Sequence, residues 1–138
     1  MSPLRLLFVD DNTAILETLV ETLRSHFAVV GALSDGESVL AQAGNLHPDI
    51  IILDILLPDI NGFVVRERLK KAGCPAKIIF LSSYEQRDMV HAAFDMGASG
   101  YVFKSSMIPD LIDAIYAVSQ EDGVFWCSSS GWAQQAKR

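Results

Sequence analysis

The chain predicts an α/β fold, a three-layer sandwich around a doubly wound parallel sheet with strand order 2-1-3-4-5. Apolar runs of strand length recur five times, at residues 6–9, 28–30, 50–53, 78–81 and 101–103. Segments with apolar residues at helical spacing follow each run. The runs are continuous rather than alternating, as strands buried on both faces by crossover helices require. Right-handed crossovers leave few topologies for such a series, and 2-1-3-4-5 is the favoured order for five strands.

The elements follow in order. After the first run, Ile15, Leu16, Leu19, Leu23 and Phe27 form one stripe, with Asn12 or Asp11 placed to cap the helix. Asp35-Gly36-Glu37 opens the second helix, which carries Val39 and Leu40. Asn61-Gly62 precedes the third, with Phe63, Val64 and Leu69 on its apolar side and Gly73 beyond its end. Val90, Ala93 and Phe94 mark the fourth helix, closed by Gly97. Pro109 suits the first turn of the fifth, which carries Leu111, Ile112, Ile115 and Val118. Ser119-Gln120-Glu121-Asp122-Gly123 breaks the pattern, so residues 1–120 read as one domain. Residues 121–138 read as a C-terminal tail or truncated linker outside the sheet, with a short helix from Trp132 and no pattern for a sixth strand.

Composition narrows the function. With 138 residues, 50% hydrophobic and 20% charged, the chain has the make-up of one soluble globular domain. The net charge of −6 and the lack of a basic cluster argue against direct nucleic-acid binding, whose affinity rests on neutralising phosphates. No apolar run is long enough to span a bilayer and no signal peptide is evident, so no membrane association and a cytoplasmic location are expected. Cys74 and Cys127 lack a CxxC partner or a His cluster and read as reduced structural thiols. His26, His47 and His91 are scattered.

Ligands of parallel sheets bind beyond the carboxyl ends of the strands. There the sequence places Asp10-Asp11, Asp54, Ser82-Ser83 and Lys104. Three carboxylates in one crevice repel each other and stay ionised together only if a cation joins them. Oxygen ligands favour a hard divalent ion, Mg²⁺ best. Lys104 suits a phosphate and Ser82 offers a hydroxyl donor, with Ser83 a competitor for that role. An Asp carboxylate can then act as nucleophile and form an aspartyl-phosphate.

Five ordered segments carry a family resemblance: Val9-Asp10-Asp11-Asn12, Asp54-Ile55-Leu56-Leu57-Pro58-Asp59-Ile60-Asn61-Gly62, Leu81-Ser82-Ser83-Tyr84, Gly97-Ala98 and Gly100-Tyr101-Val102-Phe103-Lys104. Over roughly residues 4–119 the chain resembles the receiver domains of two-component response regulators, whose fold is a flavodoxin-like (βα)5 sheet. The resemblance implies Asp54 as phosphoacceptor, with Asp10, Asp11, Asp54 and the backbone carbonyl of Leu56 holding Mg²⁺ or Mn²⁺. Asp11 is the more direct ligand of the acidic pair. It implies Ser82 and Lys104 as phosphoryl-binding groups and Tyr101 as an aromatic switch. Phosphorylation is then expected to draw Ser82 toward the phosphoryl group and let Tyr101 rotate inward. The face formed by the fourth helix, fifth strand and fifth helix would change with it.

The implied partners are a sensor histidine kinase or a phosphotransfer protein, and a homodimer is admitted. Such a domain is a phosphoacceptor assisting its own phosphotransfer and autodephosphorylation, not an enzyme acting on a separate substrate. Lys104-Ser105-Ser106 is similar to the LuxR/NarL-type subgroup, where full-length members usually carry a C-terminal helix-turn-helix. That points to the N-terminal part of a transcriptional regulator, with a free-standing receiver as the alternative. Many receivers have proline after the lysine, joined by a cis bond; with Ser105 a cis bond would cost about 2.5–4 kcal/mol, which leaves it open. Two other classes fit poorly. A haloacid-dehalogenase-type phosphatase needs Asp-x-Asp-x-Thr/Val where this chain has Asp10-Asp11-Asn12-Thr13, and Asp10-Asp11 would repel the phosphate of a flavin.

Overall fold

The computed structural model describes residues 3–120 and 123–125. Strands and helices alternate as β1 (Arg5–Val9), α1 (Thr13–Leu23), β2 (Ala28–Leu33), α2 (Gly36–Leu46), β3 (Ile50–Asp54), α3 (Gly62–Lys71), β4 (Lys77–Ser82), α4 (Arg87–Asp95), β5 (Gly100–Phe103) and α5 (Met107–Ser119). All strands are parallel, in the order β2-β1-β3-β4-β5. Among the described residues, no helix is long and apolar enough to cross a membrane.

Successive strand side chains point to opposite faces, so each apolar run feeds two cores. Leu7, Val9, Ile51, Leu53, Ile78 and Phe80 meet Val39 of α2, Val65 of α3 and Val90 of α4. Leu6, Phe8, Ile50, Ile52, Ile79 and Leu81 meet Leu16 and Leu19 of α1 and Leu111 and Ile115 of α5. Every residue of β3 is buried, which explains why its sequence shows no alternation.

Three details differ from the sequence reading. The second strand continues past Val30 to Leu33: the register against β1 slips by one residue at Val30, and Gly31 resumes the pairing where a side chain would crowd. A Cβ at Gly31 would stand 3.0 Å from Leu7 Cδ1 and 3.2 Å from Leu46 Cδ1. In α3 the buried side is Gly62, Val65 and Leu69, whereas Val64 is exposed. Gly62 sets that phase by packing directly on the backbone of Asp54 and Ile55.

The third difference concerns the tail. Phe125 forms a parallel bridge to Gly100, donating its amide to the Ser99 carbonyl at 2.9 Å and accepting from the Tyr101 amide at 3.1 Å. The segment after α5 is therefore not wholly outside the sheet; its backbone caps part of the β5 edge. Phe125 lies in the apolar run Val124-Phe125-Trp126-Cys127, a signal of strand length that the sequence reading passed over because the repeat of strands and helices had already ended. The expected helix from Trp132 lies outside the described residues.

Candidate functional site

Each strand delivers its polar group by ending just before or on it. Val9 pairs with Leu53, so the next residues, Asp10 and Asp54, stand side by side at the carboxyl edge. Ser82 pairs with Phe103, which puts Lys104 one step beyond. Asp10, Asp54 and Ser82 are 1%, 5% and 1% exposed and are the buried polar or charged residues among those described. Buried polar groups are costly without partners, so their convergence on one edge marks the site.

Asp10, Asp11 and Asp54 each place a carboxylate oxygen within 4.8 Å of the others, with Asp11 exposed. Asp10 Oδ1 accepts from the Asn12 amide at 2.9 Å, and Asn12, rather than Asp11, caps α1 by accepting from the Ile15 amide. Asp54 Oδ1 accepts from the Leu56 amide at 3.2 Å. Lys104 Nζ lies 2.8 Å from Asp10 Oδ2 and 3.2 Å from Asp54 Oδ2. It is hydrogen-bonded to Asp54 and makes its shorter, charge-assisted contact with the buried Asp10 Oδ2.

Burial, and then the neighbouring Asp10 charge, raise the Asp54 carboxyl above its ordinary 3.8, against the opposing pull of Lys104 and the Leu56 amide. For Lys104, burial acts to lower the ammonium, but the hydrogen bond and charge of Asp10 and the charge of Asp54 outweigh it and raise it above 10.5. The cluster thus holds more negative charge than its one cation neutralises. A cleft of about 400 Å³ opens over it, lined by Asp11, Asp54, Leu56, Ser82, Ser83, Tyr84 and Lys104. The donor set is all oxygen, and Asp10 Oδ2 retains acceptor capacity, which fits a hard divalent ion.

Of the paired serines, Ser82 is buried and accepts from the Tyr84 amide at 2.9 Å, whereas Ser83 is exposed on the cleft wall. Leu56 lines the cleft and is 56% exposed. Among the described residues no peptide bond is cis, so Lys104–Ser105 is trans. Ser105 Oγ instead donates to Glu85 Oε2 at 2.6 Å, tying the loop after β5 to the loop after β4.

Tyr101 is fully buried, edge-on to Phe103, and its hydroxyl donates to the Tyr84 carbonyl at 2.8 Å. That carbonyl satisfies the buried hydroxyl, so the tyrosine stands in the inward position.

Asp59 contributes a contact that sequence inspection missed. Its two carboxylate oxygens accept from the Gly36 and Glu37 amides, both at 2.9 Å, tying the loop after β3 to the start of α2. These bonds hold its carboxyl below the ordinary range. Its partners lie 23 and 22 residues away. The neighbouring Asn61-Gly62 turn was the only local signal.

A family profile described as "Response regulator receiver domain" matches residues 6–116. Response regulator protein VraR of Staphylococcus saprophyticus is 31% identical over 126 residues, covering 89% of this chain and 60% of that protein. A two-component response regulator of the LuxR family from Aurantimonas has a similar structure, with a TM-score of 0.76 and 31% identity over 85% of each chain. A chain of the CheX–CheY–BeF3–Mg²⁺ complex from Borrelia burgdorferi superposes with a TM-score of 0.81 at 22% identity, covering 87% of this chain and 92% of that one. At that identity the likeness is one of fold.

Proposed function

Because this chain belongs to the response regulator receiver domain family, we propose that it accepts a phosphoryl group on Asp54 and signals by the change that follows. The observation that carries the proposal is the convergence of the buried Asp10, Asp54 and Ser82 with Lys104 under one open cleft. The donor is a phosphohistidine on a sensor kinase or phosphotransfer protein, or a small acyl phosphate. The Asp54 carboxylate attacks phosphorus, the bond from phosphorus to the leaving nitrogen or oxygen breaks, and an aspartyl-phosphate forms.

Lys104 sits against Asp54 and is positioned to follow the charge from the carboxylate to the transferred phosphoryl oxygens. Ser82 accepts from the Tyr84 amide and keeps its own proton to donate to a phosphoryl oxygen. Asp10, Asp11, Asp54 and the Leu56 carbonyl are the groups that would hold Mg²⁺ or Mn²⁺. When bound, the ion neutralises the carboxylates and phosphoryl oxygens as charge develops. The domain is a substrate of phosphotransfer rather than an enzyme with a separate substrate, and it works in the cytoplasm.

The chain spans about 60% of the length of the curated relatives it matches. We assign it to the regulatory part of a DNA-binding transcriptional regulator, with DNA contact made elsewhere in such a protein. A second copy of the domain is a further partner.

The test is incubation with acetyl phosphate and Mg²⁺, read by intact mass. A single phosphoryl adduct is expected, absent in Asp54→Asn and in excess chelator. Undiminished labelling of either control overturns the assignment.

A further inference from the structure

Resting on the reading of Asp10, Asp11, Asp54 and the Leu56 carbonyl as a divalent-ion site, we infer that Asp59 is a positioning residue for that ion, because it ties the loop carrying the Leu56 carbonyl to the start of α2. The loop runs from Ile55 to Gly62, and its ends are joined where the Gly62 amide donates to the Ile55 carbonyl at 2.7 Å. Beside that clamp the Leu56 amide donates to Asp54 Oδ1 at 3.2 Å. At the tip, Asp59 Oδ1 accepts from the Gly36 amide and Oδ2 from the Glu37 amide, both at 2.9 Å. Leu56 thus lies between a backbone clamp and a side-chain anchor.

The anchor is built from both sides. A helix leaves its first amides without partners of its own. In α2 the capping Asp35 carboxylate accepts from the Ser38 amide at 2.7 Å, which leaves the Gly36 and Glu37 amides to another acceptor. Asp59 takes both, and the positive end of the helix dipole favours a carboxylate there. Gly36 permits the close approach, since a Cβ at that position would stand 2.9 Å from Val65 Cγ2 and 3.3 Å from Ile60 Cβ. The Ile60 amide also donates to Asp59 Oδ1, at 2.9 Å, so the carboxylate is fixed to its own loop as well. Leu57 and Pro58 separate Asp59 from Leu56, and the proline ring locks its own φ, so the anchor acts on the carbonyl with little slack. Leu57 and Ile60 pack on the core, a second hold that keeps the loop folded when the anchor is removed.

The direction of the effect follows from conformational entropy. A loop free to move loses that freedom when its carbonyl is fixed on an ion, and an anchored loop loses less. Removing the anchor therefore weakens ion binding while the three carboxylates stay in place. Coupling between sites is reciprocal, so an ion held by the Leu56 carbonyl strengthens the Asp59 bonds to α2 by the factor that those bonds add to ion binding. The start of α2 is in this way made sensitive to occupancy of the cleft.

Titration of the full chain with Mg²⁺, followed by the NMR shifts of the Asp54 and Leu56 amides, gives the dissociation constant that tests this. Asp59→Ala is expected to raise it about ten-fold, the lower end of what losing an outer support of a metal ligand typically costs. Asp59→Asn keeps one acceptor oxygen and should fall between the two. Hydrogen exchange in the wild type should show the Gly36 and Glu37 amides more protected with saturating Mg²⁺ than without it. Val118→Ala, in the core under α5, lowers stability without touching the loop and should keep the wild-type constant. At saturating Mg²⁺ the rate of labelling of Asp59→Ala by acetyl phosphate should return toward that of the wild type. A wild type that does not bind Mg²⁺ overturns the ion site itself. Wild-type binding with an unchanged constant in Asp59→Ala, an equal loss in Val118→Ala, or Gly36 and Glu37 protection that ignores Mg²⁺ overturns the inference and leaves the ion site standing. If Asp59→Ala does not fold, Asp59→Asn decides, and an unchanged constant there overturns the inference.

Discussion

Lys104→Met removes the one cation of the carboxylate cluster while keeping most of the aliphatic stem. At an effective dielectric near 20, unit charges at 2.8 and 3.2 Å attract by about 6 and about 5 kcal/mol before desolvation is counted. Desolvation cancels much of this, and breaking a buried ion pair typically costs about 3–5 kcal/mol. The Lys104 side chain is 18% exposed, so water screens part of the interaction and about 2–3 kcal/mol is expected. For a domain of this size that lowers Tm by about 6–12 °C.

The pH dependence carries a sign. Lys104 has a raised folded pKa, so its contribution is fully present below 10.5 and is lost as pH rises through the higher folded value. The Tm difference between wild type and variant should therefore hold through neutral pH and close in strong alkali. It should also narrow in acid, starting above pH 3.8, as the raised Asp54 carboxyl takes its proton and needs the lysine less. Thermal melts of metal-free protein across pH read both limbs. A Tm drop smaller than about 2 °C, or a difference independent of pH, would refute the placement of Lys104 as the cluster's counter-charge.

Asp54→Asn is expected to stabilise the metal-free protein at neutral pH. A raised carboxyl pKa favours folding while the group is protonated, and that advantage is lost as pH rises through the folded value, so the variant's advantage should fade in acid toward 3.8. Excess Mg²⁺ should reverse the order, since a ligand at about 100 times its Kd stabilises by about 2.7 kcal/mol and the wild type keeps all three carboxylates. Equal metal-induced shifts in the two proteins would argue against Asp54 as a ligand. Gly62→Ala puts a Cβ 2.5 Å from the Asp54 carbonyl oxygen and 2.9 Å from Ile55 Cα, backbone atoms that cannot step aside. A loss of about 1–3 kcal/mol in denaturant melts is expected, with slower labelling of Asp54. Ending the chain at Gln120 removes both Phe125 hydrogen bonds but spares the Lys77 contacts to α5. The domain should still melt cooperatively, with stability lowered by about 1–3 kcal/mol; an unchanged Tm would mean the bridge contributes nothing.

The order of elements and the residues that meet at the carboxyl edge can be read from the amino-acid sequence without its fold. Parallel strands buried on both faces must be continuous apolar runs, so the residue where each run stops is both the end of a strand and a lining group of the crevice. Asp10, Asp54, Ser82 and Lys104 were legible for that local reason. Whatever depended on contacts between distant segments was not. Phe63-Val64-Val65 offers three apolar residues in a row, and only the seating of Gly62 on the Asp54 carbonyl decides that Val65 turns inward and Val64 outward. Asp59 could be assigned its bonds only once the fold had brought Gly36 and Glu37 to it. The inward Tyr101 required knowing that the Tyr84 carbonyl, on another loop, would meet its hydroxyl. The Phe125 bridge required a tight turn at Gly123 and an open edge on β5. Hydrophobic periodicity records which face a segment buries; partners that meet through single hydrogen bonds across twenty or more residues leave no period to read, and tertiary structure alone selects them.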